Sequence, residues 1–140
     1  MIALGRGRYG FAAEAAAVER DVSRAAGHFL LNQLPELYGG LQRDATNFPV
    51  QYLGANVPQA WAAGTPFVLL QAMLGIRQDA PRGKLYVDPA LPAWLPAVTL
   101  TDLRQGTQRF AIRFLRAGKG PAFEVLAGAR NAVCTAWCQR

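Results

Sequence analysis

Histidine and cysteine are scarce in this chain, and their scarcity limits the chemistry it can carry. There is one histidine, His28, and there are two cysteines, Cys134 and Cys138, among 140 residues. A structural zinc site takes four ligands, usually nitrogen or sulfur, which these three residues do not supply. The spacing of the cysteines predicts one helical turn between them, a geometry that strains a disulfide. We therefore expect no metal, no cofactor and two free thiols in a reducing cytoplasm.

Long apolar runs and catalytic signatures are missing as well. The longest strongly apolar run covers 67–74 and is too short to cross a bilayer. No charged segment precedes an apolar one at the N-terminus, so we expect no signal peptide. There is no Ser-His-Asp set in a usable context, and 5–8 is too short and wrongly placed for a dinucleotide fingerprint. These absences favour a cytoplasmic protein without a membrane segment.

Charge is sparse and mostly positive. Charged residues make up 17% of the chain and apolar residues 51%, which is typical of a globular protein with a well-buried core. The net charge of +6 fits arginines spread over solvated faces, and the alternative is a polyanion-binding surface. No basic run with interleaved aromatics occurs, so we do not expect nucleic acid as a partner. The candidates for a polyanion surface lie in a predicted strand region: Arg104, Arg109, Arg113 and Arg116.

The apolar pattern predicts an α+β fold in a single domain, 1–140. Residues 1–80 are predicted to be mainly helical, because apolar residues recur there at helical spacing. Over 84–126 the period changes to two, which predicts a small antiparallel sheet. Residues 127–140 carry weak signals and are expected to form a tail that frays.

Two helices are predicted in the first part, over 11–28 and 58–74, besides the end of a helix at 1–8. The helix at 11–28 places Glu19 on its polar face. Between the two helices, 30–57 has no sustained period and contains many prolines and glycines, so it is predicted to be loop. Long structureless loops inside a compact domain are usually functional.

The predicted helix at 58–74 has informative residues at its ends and in its middle. Pro58 suits the first helical position, and Gly75 suits the C-terminal stop. Pro66 predicts a kink. Apolar side chains occur on all sides of this helix, which predicts burial all round.

Strands are predicted where apolar and polar residues alternate, over 84–87 and 109–114. A hairpin turn is predicted at 105–107, and a further short strand at 123–126. Together these segments form the predicted small antiparallel sheet, packed beside the helices.

The loop before the second helix carries the best candidate for a catalytic group. Glu36 lies in a segment rich in turn-forming residues, within reach of aromatic rings and amides. Such a setting suits a sugar-cleaving pocket, because the carboxylate handles a proton or a water, rings stack on sugar faces and amides bind hydroxyls. We predict that Glu36 is a general base. The predicted substrate-binding residues are Tyr38, Gln51, Tyr52, Gln59 and Trp61.

Each of these residues also has a simpler interpretation. Glu36 suits a helix cap or a solvated surface, Trp61 a core position, and Gln59 a polar residue with its hydrogen bonds satisfied. Asn47 and Asn56 are further hydrogen-bond candidates for the same pocket.

Two other carboxylates lie near this region of the sequence. Asp88 precedes a proline and is interpreted as a turn residue. Asp44 follows Arg43 and is interpreted as its ion-pair partner. His28 is assigned to a helix C-terminus, where the helix dipole favours it, rather than to catalysis.

At these segments the chain resembles the C-terminal part of bacterial glycogen debranching enzymes of the amylo-alpha-1,6-glucosidase type. The resemblance covers about 2–126. Its most specific segments, in this order, are Leu34-Pro35-Glu36-Leu37-Tyr38-Gly39-Gly40 and Pro58-Gln59-Ala60-Trp61-Ala62-Ala63-Gly64. The further matching segments are 2–5, 8–11, 48–50, 66–75 and 79–85.

The resemblance implies a fold made of the last helices of an (α/α)6 toroid followed by a terminal β element. It implies an α-glucan substrate and hydrolysis of the α-1,6-linked glucose at branch points, by inversion with a general acid and a general base. Glu36 matches the base, and Gln59 and Trp61 match positions near the glucose subsite. The family's general acid lies upstream of the matching part, and neither Asp44 nor Asp88 corresponds to it.

Because that acid is not matched, activity of the chain alone is left open. The alternative is a non-catalytic carbohydrate-binding or self-assembling fragment. Apolar helix faces that pack against other toroid helices in the family are expected to drive self-association here.

Overall fold

The computed structural model describes residues 5, 9, 11–42, 44, 47–116 and 123–135. From residue 11 onward, the described part of the chain has two α-helices, α1 (Ala12–Ala26) and α2 (Ala60–Leu74), followed by six short strands. The strands are β1 (Arg77–Asp79), β2 (Lys84–Tyr86), β3 (Ala97–Gln105), β4 (Gln108–Leu115), β5 (Phe123–Ala127) and β6 (Val133–Cys134). The predicted α+β class is confirmed. The helix end predicted at 1–8 lies almost wholly outside the described residues.

The strands form two sheets, where the sequence predicts one. The first has the order β1-β2-β6 and the second β3-β4-β5. All neighbours are antiparallel except β2 and β6, which run parallel, with Leu85 opposite Val133. The tail predicted over 127–140 contains a strand as far as Cys134, because β6 pairs with a strand far away in the sequence.

The core lies between the two sheets and the end of α2. From β4, Phe110, Ile112 and Phe114 are at most 1% exposed, as the alternating pattern predicts. Leu85 is fully buried against them in the same cluster. Burial of each of these side chains contributes about 1.5–3 kcal/mol, so β4 contributes most to the cohesion of this part of the fold. The predicted hairpin turn is confirmed, since β3 ends at Gln105 and β4 begins at Gln108.

Helix α2 begins two residues later than predicted. Gln59 is the N-cap, and its side-chain oxygen accepts from the Ala60 N–H at 2.9 Å. Pro58 therefore precedes the cap and does not occupy the first helical turn. Pro66 lies inside the helix, which continues through it as far as Leu74.

The C-terminus of α2 ends as predicted. Gly75 adopts a left-handed conformation with φ 59° and closes the helix by donating to the Gln71 carbonyl. The last carbonyls are satisfied by the chain that follows β2. Asp88 N–H donates to Leu74 O at 3.1 Å, and Ala90 N–H donates to Met73 O at 2.8 Å. The segment 88–90 therefore bonds the end of α2 to the part of the chain that continues from the first sheet.

Burial of α2 is one-sided, so the prediction of burial all round is wrong. Leu69 and Met73 are buried, whereas Trp61 is 58% and Phe67 74% exposed. The described neighbours of the helix, α1 and the sheet part, cover only one side of it.

Helix α1 also departs from the prediction. Glu19, assigned to the polar face, is 1% exposed, while Val18 is 36% exposed. The buried line of α1 runs through Ala15 and Glu19, and α1 contacts α2. Neither carboxylate oxygen of Glu19 has a hydrogen-bond partner among the described residues.

Candidate functional site

Two segments of the predicted loop, 36–39 and 50–56, lie antiparallel and form the frame of the candidate site. Tyr38 and Gln51 form an isolated bridge between them. The backbone bonds around it, donor first, are Gly39 N to Val50 O at 2.8 Å, Tyr52 N to Leu37 O at 3.0 Å and Glu36 N to Asn56 O at 3.3 Å. We call this pair of segments the loop ribbon. Its cross-bonds satisfy backbone groups that an irregular loop leaves to water.

The carboxylate of Glu36 lies at the end of the loop ribbon nearest α2. Its Oε2 accepts from both the backbone N–H and the side-chain amide of Asn56, each at 3.0 Å. Two hydrogen bonds from one residue fix the carboxylate relative to the second segment. Bonds of this kind, with an ionised acceptor, are about twice as strong as neutral ones.

Gln59 and Trp61 complete the surroundings of Glu36. The side chains of both residues lie near enough to the carboxylate to lower its pKa further. Because Gln59 Oε1 already accepts from Ala60 N–H, its amide N–H groups are directed to other acceptors. The start of α2 thus supplies donors to Glu36 from the N-cap and from the first turn, the end of a helix that favours negative charge.

These contacts lower the pKa of Glu36 below its usual value of 4.5. The largest cause is the Asn56 backbone N–H, followed by the Asn56 amide, with smaller contributions from Gln59 and Trp61; partial burial acts in the opposite direction. None of these causes involves a charged group from the described part of the chain. Glu36 is therefore ionised at neutral pH, a state that can accept a proton from water but cannot donate one.

The other predicted binding residues lie along the loop ribbon. Tyr38 packs edge-on against Phe29, with ring centroids 5.9 Å apart. Gln51 donates its amide to Ala55 O at 3.1 Å, so that amide supports the ribbon's own fold. Tyr52 is 56% exposed. The structure therefore brings Glu36, Gln59 and Trp61 together, and places the remaining residues on the ribbon.

Two cavities flank this region. One of about 210 Å³ lies against the start of α2 and is lined by Gln59 and Ala62, with Asn32 and Leu34 opposite. The other, of about 330 Å³, lies at the far end of the loop ribbon between Tyr38 and Phe48. Glu36 is not among the described lining residues of either cavity.

Among the described residues, no carboxylate contributes to the pKa shift of Glu36. Asp88 packs against Gly75 at the C-terminal end of α2, whereas Glu36 contacts its N-terminal end. A helix of fifteen residues separates these ends by about 22 Å. Asp44 lies on the loop beyond the ribbon, where its two oxygens accept from the backbone and amide of Asn47, each at 2.9 Å. Arg43, its predicted partner, lies outside the described residues.

The arginines of the sheet do not form a free cationic row. Asp102 accepts from Arg104 at 2.9 Å and from Arg109 at 2.7 Å. Arg113 stands opposite Glu124 in the strand register. Carboxylates thus accompany three of the four arginines proposed for polyanion binding, which weakens that alternative.

The structure also shows the surroundings of Cys134 and of His28, the one histidine of the chain. Cys134 is a free thiol in strand β6, so the predicted helical turn between the cysteines is wrong at that end; Cys138 lies outside the described residues. His28 stacks on Phe48, with ring centroids 6.2 Å apart. No group of three or more possible metal ligands occurs in the described ranges.

Sequence reasoning underestimated Asn56. It was one of several amide candidates, yet it is the main partner of Glu36 although twenty residues separate the two. Its position in the sequence could have indicated this role, because Asn56 lies three residues before the N-cap Gln59 and is therefore close to the start of α2. The Asn47–Asp44 contact was missed altogether.

Comparison with families of known proteins finds no matching family, and comparison with curated proteins finds no match either. In the part of the chain that the structure describes, neither helix has the length and apolarity needed to cross a bilayer.

Proposed function

We propose that this chain is a glycoside hydrolase-type protein that acts on α-1,6-linked glucose at glycogen or starch branch points, by inversion and with Glu36 as general base. The observation that carries the proposal is the Glu36 carboxylate held by two hydrogen bonds from Asn56, in surroundings that lower its pKa. A general base must be ionised to take a proton from the attacking water.

The resemblance of the Glu36 and Trp61 segments to glycogen debranching enzymes also supports the proposal, and with it an origin of α1 and α2 in an (α/α)6 toroid. In this assignment Trp61 offers an exposed ring to a sugar face while its indole N–H contacts Glu36. The free thiol of Cys134 fits a cytoplasmic location.

A non-catalytic carbohydrate-binding or self-assembling protein is the second candidate. The observation that favours it is the position of the other carboxylates. An inverting site needs two carboxyl groups roughly 6.5–9.5 Å apart. Asp88 lies at the opposite end of α2 from Glu36, and Asp44 is engaged by Asn47. In this candidate Glu36 binds sugar hydroxyls, and exposed side chains such as Phe67 mediate contacts between copies.

The first test measures glucose release from an α-1,6-linked and an α-1,4-linked glucooligosaccharide by the purified chain. We expect release from the α-1,6 substrate, with β-glucose as the initial product because the reaction inverts. Activity should persist as pH falls below 4.5, since the lowered pKa of Glu36 keeps the base ionised there. Glu36→Gln should abolish release, because an amide cannot take the proton.

The control for this test is Glu14→Gln, which changes an exposed glutamate of α1. It should leave glucose release unchanged. Equal release by the natural chain and by Glu36→Gln would overturn the assignment of the base. No release by either, with retained glucan binding, would favour the second candidate.

A further inference from the structure

The cavity at the far end of the loop ribbon has aromatic walls that are supported from behind. Its volume is about 330 Å³, within the range of pockets for small ligands. Tyr38 forms one wall and packs edge-on against Phe29. Phe48 forms another and stacks on His28. The supporting rings, those of His28 and Phe29, come directly after α1 in the sequence, so the walls of the cavity pack against the helical part of the fold.

The polar groups of this cavity are amides. Asn47 donates its backbone N–H and its amide to Asp44, which leaves the amide oxygen as an oriented acceptor. Gln42 is exposed at the same cavity and carries both a donor and an acceptor. The described lining residues carry no charge. Aromatic faces with neutral donors and acceptors suit an uncharged polyhydroxyl ring better than an anion.

The loop ribbon connects this cavity to Glu36. Tyr38 is two residues beyond Glu36 on one segment, and both residues pair with the 50–56 segment. Two residues of chain span at most about 7 Å, so the two positions lie close together along the ribbon. A glucan with one unit at Glu36 is therefore long enough to place a neighbouring unit at Tyr38, a lining residue of the cavity.

We propose that the cavity between Tyr38 and Phe48 is a second carbohydrate subsite, which takes a neutral hexose unit of the same glucan whose other unit lies at Glu36. This inference rests on the proposed function for the identity of the sugar. The cavity adds length selectivity, because a single glucose contacts one site and an oligosaccharide contacts both.

The test is isothermal titration of the full chain with glucose and with maltotriose. The natural chain should bind maltotriose roughly two- to tenfold more tightly than glucose, in keeping with one additional aromatic contact. Phe48→Ala should reduce that ratio to near one while the affinity for glucose stays unchanged. Asn47→Ala is a second variant that should reduce the ratio without removing a ring. Thermal unfolding of each variant establishes that it is folded.

Phe11→Ala is the matched control, because it removes an exposed phenylalanine just before α1, outside the cavity. Unchanged maltotriose affinity in both Phe48→Ala and Asn47→Ala would overturn the subsite, as would equal affinity for glucose and maltotriose in the natural chain. Glucose release is measured separately. Glucose release by the natural chain, with maltotriose binding unchanged in Phe48→Ala, would support the proposed function and refute the subsite. Weaker maltotriose binding by Phe48→Ala, with no glucose release by the natural chain, would support the subsite and refute the proposed hydrolysis.

Discussion

Two glutamates of this chain have opposite environments. Glu36 is half-buried and receives hydrogen bonds from Asn56, which lower its pKa. Glu19 is almost fully buried and receives none from the described residues, and burial raises its pKa to about 7. The carboxylate of Glu36 is charged at neutral pH with little loss of folding free energy. The carboxylate of Glu19 must either keep its proton or lower the stability of the folded state.

Glu19→Gln should therefore stabilise the protein in a pH-dependent way. The folded pKa of about 7 lies above the usual 4.5, so the folded state binds the proton more tightly. The stability linked to that proton is complete below pH 4.5 and is lost as pH rises through 7. We expect the variant to be more stable by up to about 3 kcal/mol at pH 8.5 and to show no gain at pH 4.

Urea unfolding at the two pH values measures this effect. Glu14→Gln, on an exposed position of α1, should change stability by less than about 1 kcal/mol at either pH. The assignment fails if Glu19→Gln gives the same stability change at pH 4 and pH 8.5.

At the scale of elements, α2 links the candidate site to the core. Its N-cap and first turn supply Gln59 and Trp61 to Glu36, and its C-terminus is bonded to the segment after β2. The C-terminal end leaves almost no space: a Cβ on Gly75 would overlap the backbone of Asp88. The close contact between Gly75 and the backbone of Asp88 thus fixes the position of the helical part relative to the sheet part.

Gly75→Ala should destabilise the protein by more than about 2 kcal/mol, because a left-handed alanine is strained and the new methyl group forces Asp88 away. Gly64→Ala is the control within the same helix. Its Cβ meets nothing within 4 Å, so it should stabilise by about 0.5–1 kcal/mol. Chemical unfolding measures both, and a similar effect of the two substitutions would contradict the close fit at Gly75.

At the scale of the whole molecule, apolar residues are divided unevenly between the sheet part and the helical part. The sheets enclose a buried cluster around Phe110 and Ile112. The helical part exposes Trp61, Phe67 and Leu53, the last of them completely. Exposed apolar side chains concentrated in one part of a protein favour association through that part.

We expect concentration-dependent self-association through α2, measured by sedimentation equilibrium. Phe67→Ser should weaken the dimer at least about tenfold, because a symmetric interface loses the side chain from both copies. Leu53→Ser, a change away from α2, should have a smaller effect. A natural chain that stays monomeric at high concentration would refute this expectation.

Short-range patterns account for what the sequence predicted well. The alternation at Phe110, Ile112 and Phe114 assigned β4 and its buried face, because neighbours two apart share a side of a strand. Gly75 ended α2 because only glycine adopts a left-handed turn without strain. The Pro-Glu-Leu and Pro-Gln-Ala-Trp segments led to Glu36, Gln59 and Trp61 as neighbours, which the structure brings into contact.

The sequence by itself thus determined the α+β class, the buried face of β4 and the end of α2. Only the tertiary structure decided the rest. Burial of Glu19, the parallel pairing of β6 with β2 and the role of Asn56 depend on which distant segments meet. Periodicity records how a residue relates to its neighbours along one element, whereas these contacts are set by the packing of elements against each other.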